Sequence, residues 1–242
     1  MSDKINLPQG LREDVEMVVP LTFMIILGTV TLNGLSAKLV ARLLGVVKEE
    51  RDGVVIVGAN EGSISIAKYL EKNNISTTLI DLSKENVRQA RAAGLHVVEK
   101  NVLAEDEEIF ELDDAGYLLA LTSSNDVNIF ACRKFKSILG ESSVYRLITV
   151  NEIKFDALSR PKNILFANDL DYIKFIKLVR KYNQVEEMEI DSQEQMMSML
   201  GKDHEEFIPL MLRRVGKFQF ISVNFEYQFQ KGDSLAYFGK LQ

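Results

Sequence analysis

The stretch Val54 to Asp81, VVIVGANEGSISIAKYLEKNNISTTLID, restricts the fold more than any other part of the chain. An apolar run ends at Gly58 and a glycine-punctuated turn follows. Ile64, Ala67 and Leu70 then recur at helical spacing, and a second apolar run stops at Asp81. A strand, a glycine turn, a helix and a strand ending in an acid about 20 residues beyond the glycines form the pattern of the first βαβ unit of a dinucleotide-binding sheet. The chemistry follows from the geometry. A helix entered directly from a strand end offers unpaired N–H groups and the positive end of its dipole, both suited to phosphate. Glycine permits close backbone approach or a positive φ, and an acid at the tip of the second strand can accept hydrogen bonds from a ribose. Set against G-x-G-x-x-G, the chain has Gly58, Asn60 and Ser63, with Gly62 one place early. Asn tolerates the left-handed region and a Ser at the helix start can donate to a phosphate. The alternative is a βαβ core whose ligand pocket has decayed.

The alternation of strands and helices continues beyond Asp81. SKENVRQARAAG predicts a helix with Ser83 as N-cap, Val87, Ala90 and Ala93 inward, and Gly94 as C-cap. LHVVEKNV predicts a third strand ending near Asn101. AEDEEIFELDDAG reads as a solvated helix with Ile109, Phe110 and Leu112 turned inward, in preference to a divalent-cation site. YLLALTSSND predicts a fourth strand that delivers Thr122, Ser123, Ser124 and Asn125 to its carboxyl end, where open α/β sheets bind ligands; a helix cap is the simpler role for the same residues. VYRLITV predicts a fifth strand. NILFANDLDYIKFIKLVRKY predicts a sixth, followed by a helix capped by Asn168 or Asp169, with Ile173, Ile176 and Leu178 on its dry side and Lys174, Lys177 and Arg180 in water. Six alternations predict a mostly parallel, doubly wound sheet over about residues 52–183.

The two ends differ from this middle. Met17 to Ala37 contains no charge and is long enough to cross a bilayer as a helix. Glu13, Asp14 and Glu16 precede it where a signal peptide needs a positive region. Gly28, Gly34 and the Ser/Thr residues suit packing against other membrane helices, whereas a buried helix of a soluble domain is the alternative. Lys38, Arg42, Lys48 and Arg51 follow the segment and only Lys4 and Arg12 precede it, which places the residues from about 50 onward in the cytoplasm. After Glu186 the acids cluster, QEQMMSML follows, and FQFISVNFEYQFQKGDSLAYFG alternates at Val223, Phe225, Tyr227 and Phe229 before a Lys231-Gly232-Asp233 turn. The expected division is residues 1–50, an apolar helix; 51–184, the α/β domain; and 185–242, a small β-rich appendage.

Composition removes several functions. A net charge of −6 speaks against a nucleic-acid surface. The single cysteine, Cys132, lies among apolar neighbours and reads as a core residue. His96 and His204 have no partner at metal-ligand spacing, so no metal site is expected.

Taken in order, these segments resemble the C-terminal part of bacterial monovalent cation/proton antiporters of the Na⁺(K⁺)/H⁺ class. VPLTFMIILGTVTLNGLSAKLVARLLGV resembles their last transmembrane helix. GANEGS, the R-x-A-R-x-x-G-L run from Arg88, and LLALT followed by N-D-V-N from Asn125 resemble the cytosolic RCK (potassium-transport nucleotide-binding, TrkA-N-like) domain fused after it. The resemblance implies a Rossmann-like domain that binds NAD(H) or an adenine nucleotide and biases a transporter. By position, Gly58, Asn60, Gly62 and Ser63 would face phosphates, Asp81 the ribose, Asn101 the adenine and Thr122 the crevice floor. It also implies a homodimer in the inner membrane. One span without membrane carboxylates makes no ion pathway, so the expectation is a regulatory fragment or a separately encoded piece beginning at Met1, partnered by the membrane part of an antiporter. A NAD-dependent oxidoreductase is the competing enzymatic reading. It is disfavoured because the tail is too small for a substrate domain of usual size. A dimerisation scaffold that binds no nucleotide is the third.

Overall fold

The computed structural model describes residues 9–43, 51–104, 114–148, 150–153 and 163–240. They fall into two units, Met1–Glu50 and Arg51–Gln242. The described residues of the first unit form one helix, α1 (Gln9–Leu43). Its stretch Val18–Ser36 has a mean hydropathy of 1.9 and none of it is buried, so it is long and apolar enough to cross a membrane; a signal sequence meets the same criterion. Thr22, Thr29 and Thr31 donate their hydroxyls to the carbonyls of Val18, Ile25 and Leu27 one turn back. Such back-bonding satisfies a hydroxyl without water.

In the second unit β1 (Gly53–Val57), α2 (Glu61–Lys72), β2 (Thr77–Asp81), α3 (Lys84–Ala92), β3 (Val97–Glu99), β4 (Ala115–Ala120), α4 (Asn125–Leu139), β5 (Val144–Arg146), the short α5 (Val150–Ile153) and α6 (Tyr172–Lys181) follow one another. The strands form a parallel sheet in the order β3-β2-β1-β4-β5. β1 lies in its middle, paired with β2 on one side and β4 on the other. A central parallel strand is covered on both faces, which is why VVIV needs no polar alternation. Val54 and Ile56 enter a core with Ile66 and Leu70 of α2 and Phe175 of α6, while Val55 and Val57 enter one with Ala131, Cys132 and Phe135 of α4. Ser83 caps α3 through the Asn86 N–H, as expected. The C-cap is Ala93, one place before the expected Gly94, which follows it at φ 83°.

The expected doubly wound sheet forms, with three local corrections. The sixth strand shrinks to bridges: Ile164 pairs once with Arg146, and Leu165 pairs antiparallel with Ser222. Phe166 then takes φ 66°, a left-handed turn costly for an aromatic residue, and leads the chain away before a ladder can grow. The cap of α6 is Asp171, whose carboxylate accepts from the N–H groups of Ile173 and Lys174, rather than Asn168 or Asp169. That start turns Ile173 outward, 69% exposed, and Phe175, Leu178 and Val179 inward. The segment holding Ile109, Phe110 and Leu112 lies outside the described residues.

The C-terminal part contributes β6 (Glu186–Glu189), α7 (Gln193–Leu200), β7 (Phe207–Arg214), β8 (Lys217–Phe220) and β9 (Ser234–Gly239). Its strands make an antiparallel sheet in the order β6-β9-β7-β8. Ile208, Leu210, Phe220 and Phe238 share the core of α2 and α6, and Phe207, Leu212, Leu235 and Tyr237 pack with Ile190 and Met196 on the other side. This sheet too is covered twice, so FIPLML runs apolar without alternation. Pro209 sits in interior β7 where the pairing register with β9 shifts, which is where a residue without N–H is tolerated. The expected strand over Val223–Phe229 does not form. Phe225 and Tyr227 stack at 6.2 Å in a loop held by the buried Asp233, which accepts from Arg214, the Tyr227 hydroxyl and the Gln230 N–H.

Candidate functional site

After β1 the chain builds outward through β2 and β3, then returns to place β4 on the other side of β1. At such a reversal the loops leaving neighbouring strands part, and a crevice opens at their carboxyl ends. Here it is a cleft of about 310 Å³. Gly58, Asn60, Asp81, Asn86, Lys100, Asn101, Thr122, Ser123, Ser124 and Tyr172 supply its polar lining, and Val57, Ile80, Leu82, Val102, Leu103 and Val127 supply the apolar part.

Each side chain is set by its element. Gly58 has φ 97°, and a Cβ there would stand 2.9 Å from the Thr122 methyl, so glycine lets the β1 turn lie against the β4 end. Asp81 ends β2 and turns back across it: Oδ2 accepts from the Ala59 N–H (2.7 Å) and Asn86 Nδ2 (2.9 Å), and Oδ1 accepts from the Ser83 N–H (2.8 Å). A carboxylate offers about four acceptor positions, so one is left for a ligand hydroxyl in the cleft. Thr122 donates to Asn128 Oδ1 (2.7 Å), and Asn128, fully buried, donates back to the Thr122 carbonyl (3.0 Å). That pair fixes the β4–α4 loop. Ser124 caps α4 and, with Ser123, also lines the cleft. Asn101 accepts from the Leu103 N–H (2.9 Å) at the far wall.

The helix start departs from expectation. Asn60 is extended (φ −77°, ψ 175°), not left-handed. Its Oδ1 accepts from the N–H groups of Gly62 (3.0 Å) and Ser63 (3.1 Å), and its Nδ2 donates to the Leu121 carbonyl (2.6 Å). The side chain therefore stitches the start of α2 to the end of β4 and occupies two of the donors that a phosphate could use. Gly62 and Ser63, expected to face phosphates, do not line the cleft. A Cβ on Gly62 would lie 2.4 Å from the Phe175 ring, so this glycine admits α6 against α2. Ser63 is fully buried and its hydroxyl has no hydrogen-bond partner. Glu61, in the first turn of α2, pairs with Arg180 at 3.1 Å; an acid there favours the helix and opposes a bound anion. Lys100 is the cation lining the cleft. The residues present thus suit a nucleoside's ribose and base, while the helix start offers a phosphate fewer free donors than a glycine turn would.

Asn86 and Asn128 were not singled out by sequence reasoning. The available signal was an Asn within a helical pattern, which helix propensity disfavours unless its side chain is otherwise engaged. Larger cavities exist but lack these features. One of about 820 Å³ lies at the opposite, amino ends of β1 and β2, against Gly53, Thr77 and His96. Another, of about 790 Å³, lies beside β5 and holds Cys132, Arg146 and Glu152. Arg146 and Glu152 form an ion pair at 2.6 Å there. Burial pushes the Cys132 thiol up to about 11 despite the nearby Arg146 charge, so it stays protonated and weakly nucleophilic. Among the described residues no group of His, Cys, Asp and Glu side chains could hold a metal ion.

No curated protein matches the chain. Among solved structures it is similar to a NAD-dependent epimerase/dehydratase from Bacillus halodurans at 16% identity and a TM-score of 0.32, over 42% of this chain and 53% of that one. The chain thus spans about half the length of that protein. It is also similar to a precorrin-2 dehydrogenase (14% identity, TM-score 0.30, 64% and 86% covered) and to an rRNA methylase from Streptococcus thermophilus (12%, 0.28, 79% and 89%). Residues 54–158 match the family model of the TrkA-N domain, a nucleotide-binding Rossmann-type fold, and among the described residues one apolar helix precedes them.

Proposed function

We propose that this chain is a nucleotide-sensing regulatory module of a monovalent cation/proton antiporter rather than a catalyst. Its cytoplasmic part, from about residue 50, would be tethered by α1 to the inner membrane, and the module would pair as a homodimer. The observation that carries the reading is Asp81, which lies in the cleft with one acceptor position free while its other bonds hold the β1 turn. A ligand on that carboxylate would bear on the turn, on α2 and, through α2, on the core shared with the C-terminal sheet. Regulation requires the ligand to bind the two states of the transporter with different affinity.

The test is a thermal-shift panel of NAD⁺, NADH, ATP, ADP and AMP on the full chain in detergent, with Asp81→Ala as control. A ligand that binds only the folded state raises the melting temperature. The reading expects at least one of them to do so in the native chain and none in the variant; unchanged melting with all five contradicts it. A second reading, a dimerisation scaffold without ligand, draws on Asn60, because a closed helix start is what a decayed phosphate site would show. It expects Asp81→Ala to leave every response untouched.

A further inference from the structure

Asn60 gives the cleft a specificity that its fold class alone would not. We infer that the site reads the nucleoside part of its ligand and is blind to phosphate, with Asn60 as the residue that makes it so. This rests on the nucleotide-sensing reading above and narrows its ligand class.

Three observations converge. First, the Asn60 side chain takes two of the donors at the start of α2, the Gly62 and Ser63 N–H groups, and Asp81 takes the Ala59 N–H, which leaves the N–H groups of Asn60 and Glu61. Binding phosphate on the taken donors would break those side-chain bonds. It would also strand the Leu121 carbonyl, which receives the Asn60 amide at 2.6 Å. Second, the local charge gives no net pull on an anion, since Asp81 offsets Lys100 in the cleft lining and Glu61 sits on the first helical turn, paired with Arg180. Third, the remaining space is small and of the right kind. The cleft of about 310 Å³ is near the lower limit of about 300 Å³ for small-molecule sites. Leu82, 60% exposed, and Leu103, 40% exposed, stand at its wall with Val102 and Ile80, an apolar slot for a base. Asn86 and Asn101 offer amides beside it, and Asp81 remains for the ribose. In this arrangement a phosphate carried by the ligand is left in solvent.

The experiment is calorimetric titration of the full chain in detergent with adenosine, AMP, ADP and NAD⁺, for the native sequence and two variants. Asn60→Gly removes the stitch, and glycine is tolerated at an N-cap. Asn60→Asp keeps a capping oxygen, which guards against a variant that merely fails to fold. In the native chain affinity should not increase from adenosine to ADP or NAD⁺. In Asn60→Gly it should rise with phosphate, by about tenfold or more for ADP over adenosine, and in Asn60→Asp it should not. A native chain that already prefers ADP or NAD⁺ over adenosine by about tenfold overturns the inference and leaves the sensing reading standing. So does an Asn60→Gly variant with the native preference. If none of the four ligands binds either the native chain or Asn60→Gly, the inference falls together with the reading beneath it.

Discussion

Two aspartates of this molecule each gather a loop by several hydrogen bonds, and only one of them faces a cavity. Asp233 is fully buried in the C-terminal sheet and accepts from two nitrogens of Arg214, the Tyr227 hydroxyl and the Gln230 N–H. Three of those four bonds fall on Oδ2, and full burial seals the carboxylate from any ligand. Asp81 makes three bonds at the tip of β2 and borders the cleft. The number of internal bonds is nearly the same; what differs is that Asp233 is sealed in the core whereas Asp81 borders empty space. A buried acid stabilises a loop, whereas an acid with residual capacity at a strand's carboxyl end is placed to meet a ligand.

The contrast is broken most severely by Asp233→Ala. It leaves the Arg214 charge without its partner against a buried site, and removing one member of such a pair costs about 3 kcal/mol. Urea unfolding should show that loss, and the ligand response of the cleft should be unchanged. Gly62→Ala comes next. Its Cβ would stand 2.4 Å from the Phe175 ring, and overpacking of that kind costs about 2 kcal/mol. The same unfolding measurement checks it, and because Gly62 does not line the cleft, ligand affinity in the folded protein should stay near native.

Asp81→Ala should be milder in stability, about 1 kcal/mol for the Ala59 and Ser83 N–H groups left to find water. Yet it should abolish the nucleotide-dependent rise in melting temperature, which Asp233→Ala preserves. Acid sharpens the comparison further. Burial pushes the Asp233 and Glu187 carboxyls up. Hydrogen bonds to Asp233 from Arg214, Gln230 N–H and Tyr227, and to Glu187 from Ser234, Tyr69 and Arg213, more than offset it, so both lie below the usual range. A folded pKa below the unfolded one stabilises above the unfolded value and is lost as pH falls through the folded one. Unfolding free energy should therefore be level above about pH 5 and decline below about pH 4, with a shallower decline in Asp233→Asn. The smallest effect is on Cys132. With its thiol pushed up to about 11 by burial, alkylation at pH 8 should be slow in the native protein and fast in urea.

The sequence made the parallel sheet legible because each of its signals was local. VVIV, the glycine turn and Asp81 occupy one continuous stretch, and the acid's place at the strand tip followed from spacing alone. The C-terminal sheet was less so. β7 is apolar along both faces because two cores cover it, and a run without alternation carries no period from which to read a strand. The alternation at Val223–Phe229 misled for the opposite reason. Its aromatics point one way, yet Asp233 draws their backbone into a loop, a tertiary constraint invisible in a local window. At the site, Gly62 looked like a phosphate glycine until its neighbour Phe175, more than a hundred residues along, supplied the packing reason. Asn60 appeared as an imperfect glycine, and that it reaches across to the Leu121 carbonyl is a long-range fact.

The central claim is that a ligand sits on Asp81 between the β1 turn and the β4 loop. Hydrogen–deuterium exchange of the full chain in detergent, with and without saturating adenosine or AMP, tests it most directly. Protection should rise in the segments around Gly58–Ser63, Asp81–Asn86 and Thr122–Asn128 together, because those loops hold one another through Asp81, Asn60 and Asn128. Exchange that is unchanged in all three segments, or protection gained only at the amino ends of β1 and β2, contradicts the account.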